Sequence, residues 1–136
     1  MKFKVQRQLT AALENSPGTL ASICDTLSQH GINIEAMCVV DNVEQSVTRM
    51  VTSDPEKTKR LLHEKQIYVV EADVLAVELT DQRGKLAQIS ATLAAEKINI
   101  NYLYGSFHRI GARTHIIFKV SDLAKAQRVL LELDIR

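Results

Sequence analysis

Tryptophan is absent from these 136 residues, and cysteine, proline and glycine number only two, two and five. Two cysteines cannot build a disulfide framework, and Cys24 and Cys38 belong to no CxxC pair of the metal or redox kind. Neither charge sign is in surplus: 17 Lys+Arg meet 16 Asp+Glu, a formal net charge of +1. A nucleic-acid partner is therefore not expected, because neutralising a row of phosphates takes an excess of cations on one face. No uninterrupted apolar run approaches the roughly 20 residues that span a bilayer, so no membrane partner is expected. Met1-Lys2-Phe3-Lys4-Val5-Gln6-Arg7 has no apolar core of a secretory signal. A reduced, cytoplasmic setting is the expectation. Catalytic signatures are missing too: there is no GxSxG, HExxH, GxGxxG or phosphate-cradling GxxxxGK[ST]. Cys24, Cys38, His30, His63, His108 and His115 form no metal-ligand spacing, and both thiols fall on apolar stripes, where a free Cys acts as a small hydrophobe. No catalytic residue, metal or cofactor is expected. What the chain does have is 46% hydrophobic residues, enough for a packed core and too many for wholesale disorder.

Those apolar residues are organised by a repeat. Shifted by 66 residues, Gly18-Thr19-Leu20-Ala21-Ser22-Ile23 falls on Gly84-Lys85-Leu86-Ala87-Gln88-Ile89, Thr26-Leu27 on Thr92-Leu93, and Ile32-Asn33-Ile34 on Ile98-Asn99-Ile100. Nine of 17 positions are identical, where chance gives about one, so the chain is a duplication. After a two-residue slip, Ser53-Asp54 meets Ser121-Asp122 and Arg60 meets Arg128. Two domains follow, residues 1–72 and 73–136, each near the lower size limit of an independent fold.

Each half reads strand, helix, strand, strand, helix, strand. Phe3, Val5, Leu9, Ala11 and Leu13 alternate as in a half-buried strand. Ser16-Pro17-Gly18 breaks it, Leu20, Ile23 and Leu27 recur at helical spacing, and Gly31 is the stop signal. Ile32, Ile34, Ala36, Cys38 and Val40 alternate again. Asp41-Asn42 turns into a strand over 45–52, Asp54-Pro55 starts a helix with an N-cap and proline at its first position, and Ile67 to Glu71 is a fourth strand. The second half repeats this as strand 74–80, helix 85–96, strand 98–107, strand 113–120 and helix 123–133. The fold class is α+β: two ferredoxin-like βαββαβ units, antiparallel sheets with helices on one face. Arg136 stands where the fourth strand of the second unit would run, so that strand is short or absent. Its absence leaves a sheet edge for a partner chain or the sister unit. Ala72-Asp73 between the units lacks the Gly, Pro or Ser of a flexible linker.

Glu14-Asn15-Ser16-Pro17-Gly18-Thr19-Leu20-Ala21, then Gly31-Ile32-Asn33-Ile34, resembles the signature of the ACT domain; Thr80-Asp81-Gln82-Arg83-Gly84-Lys85-Leu86-Ala87, then Lys97-Ile98-Asn99-Ile100, is the second copy. Over nearly the whole chain the resemblance is to small free-standing bacterial proteins of two ACT domains, in which Asn101-Tyr102-Leu103-Tyr104 also fits. The resemblance implies non-catalytic, regulatory binding of a small ligand, most often an amino acid. It places the ligand at a domain interface, between the first strand–helix loop of one domain and the second strand of its neighbour. The candidate ligand residues are thus Asn15, Ser16, Pro17, Gly18, Thr19, Leu20, Asn33 and Ile34 in the first copy. In the second they are Asp81, Arg83, Gly84, Lys85, Leu86, Asn99, Ile100 and Asn101. Arg83 replaces Pro17 and Lys97 replaces Gly31, so the two sites need not be equivalent.

Physical chemistry supports the same loops. A helix N-terminus offers unpaired N–H groups and about half a positive charge, and glycine lets a ligand come close to the backbone. A carboxylate suits the amides of 18–20 or 84–86, and an ammonium group suits the side-chain carbonyls of Asn15, Asn33, Asn99 or Asn101. The plainer alternatives are turn chemistry at Pro17-Gly18 and junction capping by Asn33 and Asn99. Tyr102, Tyr104 and Phe107 are expected in a core or interface, and His108-Arg109 in a solvated hairpin. A homodimer is expected, with an unidentified protein target regulated in trans. Two rival functions use the same scaffold. An RNA-binding module would need aromatics on the central strands, and a small acyl-phosphate hydrolase would need a phosphate-cradling Arg, for which Arg83 is the candidate.

Overall fold

The computed structural model describes residues 1–80, 83–106 and 113–135, the side chains of 80, 134 and 135 excepted. Asp81, Phe107, His108, Arg109 and Arg136, named above, lie outside the described residues. Among the described residues six strands and four helices follow one another as β1 (Lys2–Glu14), α1 (Thr19–Gln29), β2 (Ile34–Asn42), β3 (Gln45–Thr52), α2 (Pro55–Glu64), β4 (Val69–Thr80), α3 (Lys85–Ala95), β5 (Ile100–Gly105), β6 (Arg113–Val120) and α4 (Leu123–Ile135). They form two compact units, Arg7–Ala72 and Asp73–Arg136 with Met1–Gln6, called here the N-terminal and C-terminal units. Strand order is β2-β3-β1-β4 in the first and β1-β4-β6-β5 in the second.

The strands expected at Ile67–Glu71 and Val74–Thr80 are one continuous strand, β4, because nothing at Ala72-Asp73 breaks an extended backbone. The position beside β4 in the C-terminal unit is taken by the first residues of β1. There Met1 and Phe3 pack on the core of Leu75, Val77, Ile89, Leu93, Phe118 and Leu130. Ile67 and Val69, 66 positions further on, do the same in the N-terminal unit, on the core of Leu9, Ala11, Ile23, Leu27, Met50 and Leu62. Each of these cores joins one face of a sheet to the inner stripes of two helices.

Register follows the duplication. Leu9 faces Met50 and Leu75 faces Phe118 across antiparallel pairs. Each second strand opens with a β-bulge, between Ile34 and Ala36 and between Ile100 and Tyr102. An extra residue reverses the alternation that follows it. The expected stripe Ile34, Ala36, Cys38, Val40 is therefore corrected: Ile34 and Met37 pack on the core. Cys38 lies opposite Arg49. Both thiols are free and only half-buried rather than core residues.

Three helices end in the same motif. At α1 the N–H of Ile32 donates to Leu27 O and that of Gly31 to Ser28 O, with Gly31 at φ 71°, the left-handed cap of a Schellman ending. Ile98 to Leu93 and Ile67 to Leu62 repeat it, but with Lys97 at φ 58° and Gln66 at φ 63°, where a Cβ is strained. A buried hydroxyl breaks the symmetry. Thr48 is fully buried opposite Ala11 and Val39, and its hydroxyl has no hydrogen-bond partner. Register with Val77 and Gly105 shows Ile116 as its counterpart. By contrast Thr52 and Thr58 satisfy each other at 2.9 Å. Arg7 bridges Glu56 and Glu71, and Lys59 meets Glu71 at 2.9 Å. The hydrogen bond from Lys59 lowers the Glu71 carboxyl and raises the Lys59 ammonium, a solvent-exposed network of little weight for stability.

Two stability measurements check these readings. Lys97→Gly should stabilise by roughly 0.5–1 kcal/mol in urea unfolding, the strain relieved exceeding the added flexibility of the unfolded chain, whereas Gly31→Ala should destabilise by about the same amount. Thr48→Val should stabilise by about 1 kcal/mol, since it removes a buried, unpaired hydroxyl at constant volume.

Candidate functional site

Two kinds of helix start alternate along the chain. α2 and α4 begin with an aspartate that accepts from the backbone: Asp54 Oδ1 from Lys57 N and Asp122 Oδ1 from Lys125 N, each at 3.1 Å. α1 and α3 begin at left-handed glycines, Gly18 at φ 89° and Gly84 at φ 86°, with no side-chain cap and no acidic residue in the first turn. A residue with a Cβ is strained at such angles, yet the space where a Cβ would stand is open, with no atom beyond the adjoining residues within 4 Å at either glycine. In α1 the N–H of Thr19 reaches Ser16 O at 3.4 Å, while those of Leu20 and Ala21 have no acceptor among the described residues. Helix polarity and unspent donors make such an end attractive to a carboxylate.

The loop before α1 is fastened to the β2–β3 hairpin. Asn15 donates its backbone N–H to Glu44 O at 3.2 Å and its Nδ2 to Asp41 Oδ1 at 2.9 Å and Val43 O at 3.0 Å. Asp41 Oδ1 also accepts the N–H of Val43, which has φ 63°. Ser16 Oγ and Thr19 Oγ1 pair at 3.0 Å. Pro17 is exposed, Thr19 half-buried, and Leu20 is exposed beside the first-turn amides. In the other copy Arg83 and Gly84 are exposed, Lys85 is half-buried, and Leu86 packs on the core. Asp81 lies outside the described residues.

The remaining candidates sit elsewhere. Gly18 and Asn33 are separated by the 11 residues of α1, about 16 Å at 1.5 Å per residue, and Gly84 and Asn99 by the equal length of α3. No single unit therefore unites its own loop with its own asparagine. Asn33 and Asn99 are held through their backbones: each N–H donates to a serine Oγ, Ser53 and Ser121, at 2.9 Å. The serine N–H returns to the asparagine O at 2.9 Å. Ile34 and Ile100 pack on the cores, and Asn101 is the exposed extra residue of a bulge.

The duplicated Ser-Asp pair, visible in the sequence as a marker of register, thus has a structural task at each helix–strand junction. Lys57 and Lys125 are identical at the same 68-residue offset, a signal that carries no role in the sequence alone. Lys57 Nζ donates to His30 O at 3.2 Å and Lys125 Nζ to Glu96 O at 2.8 Å. His30 and Glu96 are the C-caps of α1 and α3, so each lysine places a cation where the helix is negative.

Tyr102 and Tyr104 lie half-buried on β5, across from Lys119 and Ile117. β5 is an outer strand of its unit. Of the described aromatics on the central pair β4 and β6, Phe118 is buried in the core, so the platform an RNA-binding sheet presents is not built there. Among the described residues no three His, Cys, Asp or Glu cluster as metal ligands, and no helix is long and apolar enough to cross a membrane.

A family model described as an ACT domain pair matches residues 4–136. Among solved structures, protein BT0572 from Bacteroides thetaiotaomicron superposes with a TM-score of 0.89 at 28% identity, over 97% of this chain and 90% of that one. The ligand-free regulatory subunit of aspartate kinase from Thermus thermophilus gives 0.68 at 14%, over 97% and 96%. Aspartokinase alpha and beta subunits give 0.67 at 20%, over 97% and 96%. At those identities the last two share the fold alone. No curated protein matches the chain.

The asparagines and serines of the junctions can be told apart by mutation. Ser53→Ala and Ser121→Ala should each cost about 1 kcal/mol in thermal or urea unfolding. Asn33→Ala and Asn99→Ala should stay within about 0.5 kcal/mol of the parent, because only their backbones are used.

Proposed function

The chain belongs to the ACT domain pair family, and on that premise we propose that it is a non-catalytic sensor whose ligand is a small molecule, an amino acid. The observation that carries this reading is the alternation of helix starts. Where the duplication needs only stability, an aspartate caps the helix. At the loops that match the ACT signature, in both copies, the cap is a glycine with open space above it. The ligand carboxylate takes the amides of 18–20 or 84–86. Its ammonium group takes side-chain carbonyls from a different ACT domain, since Asn33 and Asn99 lie at the far ends of α1 and α3.

Ligand binding alters output by favouring one arrangement over another, and only by the difference in affinity between the two. The output proposed for this regulatory pair is a separate protein target, acted on in trans. The working form is a homodimer. The outer strand β2 supports this with Val39 and Val40 about half exposed, and the turn that follows it with Val43 at 81%, an apolar edge that a second chain would cover.

Calorimetry and thermal shift with each of the twenty amino acids test the proposal. One of them should bind and raise the melting temperature, with about 2.7 kcal/mol of stabilisation at a hundred times its Kd. Thr19→Asp and Lys85→Asp place a carboxylate in the first turn of α1 and α3. At an occupied site the change should abolish binding while the ligand-free protein melts at the same or a higher temperature. Absence of heat and shift for all twenty, or unchanged binding by both variants, would overturn the reading.

A further inference from the structure

Resting on the sensor reading above, we propose that Asp41 is a positioning residue for the first glycine loop. The clasp it closes makes this loop, rather than its copy before α3, the one a ligand fills first. Every part of the clasp lies in the N-terminal unit. The ladder of β1 and β3 ends at Glu14 and Gln45, and Asn15 carries it one bond further by donating its N–H to Glu44 O. Asp41 then closes a ring. Its Oδ1 accepts from Asn15 Nδ2 at 2.9 Å and from the N–H of Val43 at 3.0 Å, while Val43 O accepts from the same Nδ2 at 3.0 Å. Asn15, three residues before Gly18, is thus held at its backbone N–H and through its side-chain amide.

The turn that supplies these partners is not one that valine favours. Val43 is exposed and has φ 63°, where a β-branched residue is strained. Such a conformation persists only where its surroundings over-determine it. Here Asp41 accepts the Val43 N–H and Asn15 donates to the Val43 carbonyl. The residue types of the second copy do not permit the same ring. At the 66-residue offset Asp81 replaces Asn15 and Phe107 replaces Asp41: an ionised carboxylate has no donor, and a phenyl ring has no carboxylate acceptor. A loop ordered in advance loses less conformational freedom on binding, so the same amino acid is held more tightly at the first loop.

Asp41→Ala and Asp41→Asn separate this role from a structural or a purely electrostatic one. Each of the twenty amino acids is titrated singly into the full chain, followed by calorimetry and by amide chemical shifts. In the parent, Gly18 to Ala21 should respond at lower concentration than Gly84 to Ala87. Asp41→Ala should raise the Kd at the first loop about tenfold, the worth of a hydrogen bond to a charged group. In the ligand-free protein it should also accelerate hydrogen exchange at the Asn15 amide, while the interior amides of α1 keep their rates. Asp41→Asn keeps an acceptor oxygen and loses the charge, so its Kd should stay within about threefold of the parent. Three results would each overturn the inference and leave the sensor reading intact: equal losses in both variants, unchanged affinity or Asn15 exchange in Asp41→Ala, or a first response at Gly84 to Ala87. Failure of the parent to bind any of the twenty overturns the sensor reading and the inference with it.

Discussion

A β-strand with a neighbour on one side only keeps a row of N–H and C=O groups unpaired on the other, and a repeat of 66 residues has little apolar surface with which to compensate. In this protein the demand is met with strand length. β1 and β4 run 13 and 12 residues, long for strands, and each serves as the outer strand of one unit and a central strand of the other. Met1 and Phe3 close over the C-terminal core as Ile67 and Val69 close over the N-terminal one. The sequence halves at 72/73, whereas the compact units divide inside two strands.

Around that framework the duplication separates what folding requires from what varies. The Schellman endings, the serine clasps on Asn33 and Asn99, the aspartate caps and the reach of Lys57 and Lys125 occur in both copies. All of them satisfy backbone groups at element ends, where a short repeat has the most to lose. What varies is either internal polarity, as in the Thr52–Thr58 pair that becomes Val120 and Ala126, or the surroundings of the two glycine loops. The first loop is tied to its hairpin through Asn15 and Asp41, while the second carries exposed Arg83 beside Gly84. The open glycine caps of both copies and, in the first, the N–H groups of Leu20 and Ala21 without an acceptor among the described residues are features that stability alone does not explain. They are why the loops, not the cores, are read as the place where a small anion is met.

Periodicity and punctuation carried much of this in plain view. The 66-residue offset, strand 113–120, the αL glycines and Asp54-Pro55 at the start of α2 are local facts, decided by φ preferences, missing side chains and the spacing of apolar residues. The ferredoxin-like plan follows from their order. The bulges at Glu35 and Asn101 were not legible, because an inserted residue leaves the alphabet of the strand unchanged and alters only which face each later side chain meets; hence the displaced expectation for Ala36 and Cys38. The roles of Ser53, Ser121, Lys57 and Lys125 were half legible, marked by identity but without a reason until the helix ends came near.

By itself the sequence determined two copies of one pattern, their elements and the two glycine loops, since those depend on interactions within a few residues. Tertiary structure alone decided that Met1–Gln6 serves the C-terminal unit, that β4 is unbroken, and that Gly18 and Asn33 stand at opposite ends of a helix. These are questions of which distant backbone edges pair and how far a rigid helix separates its ends. Neither has a signature in the order of neighbouring residues.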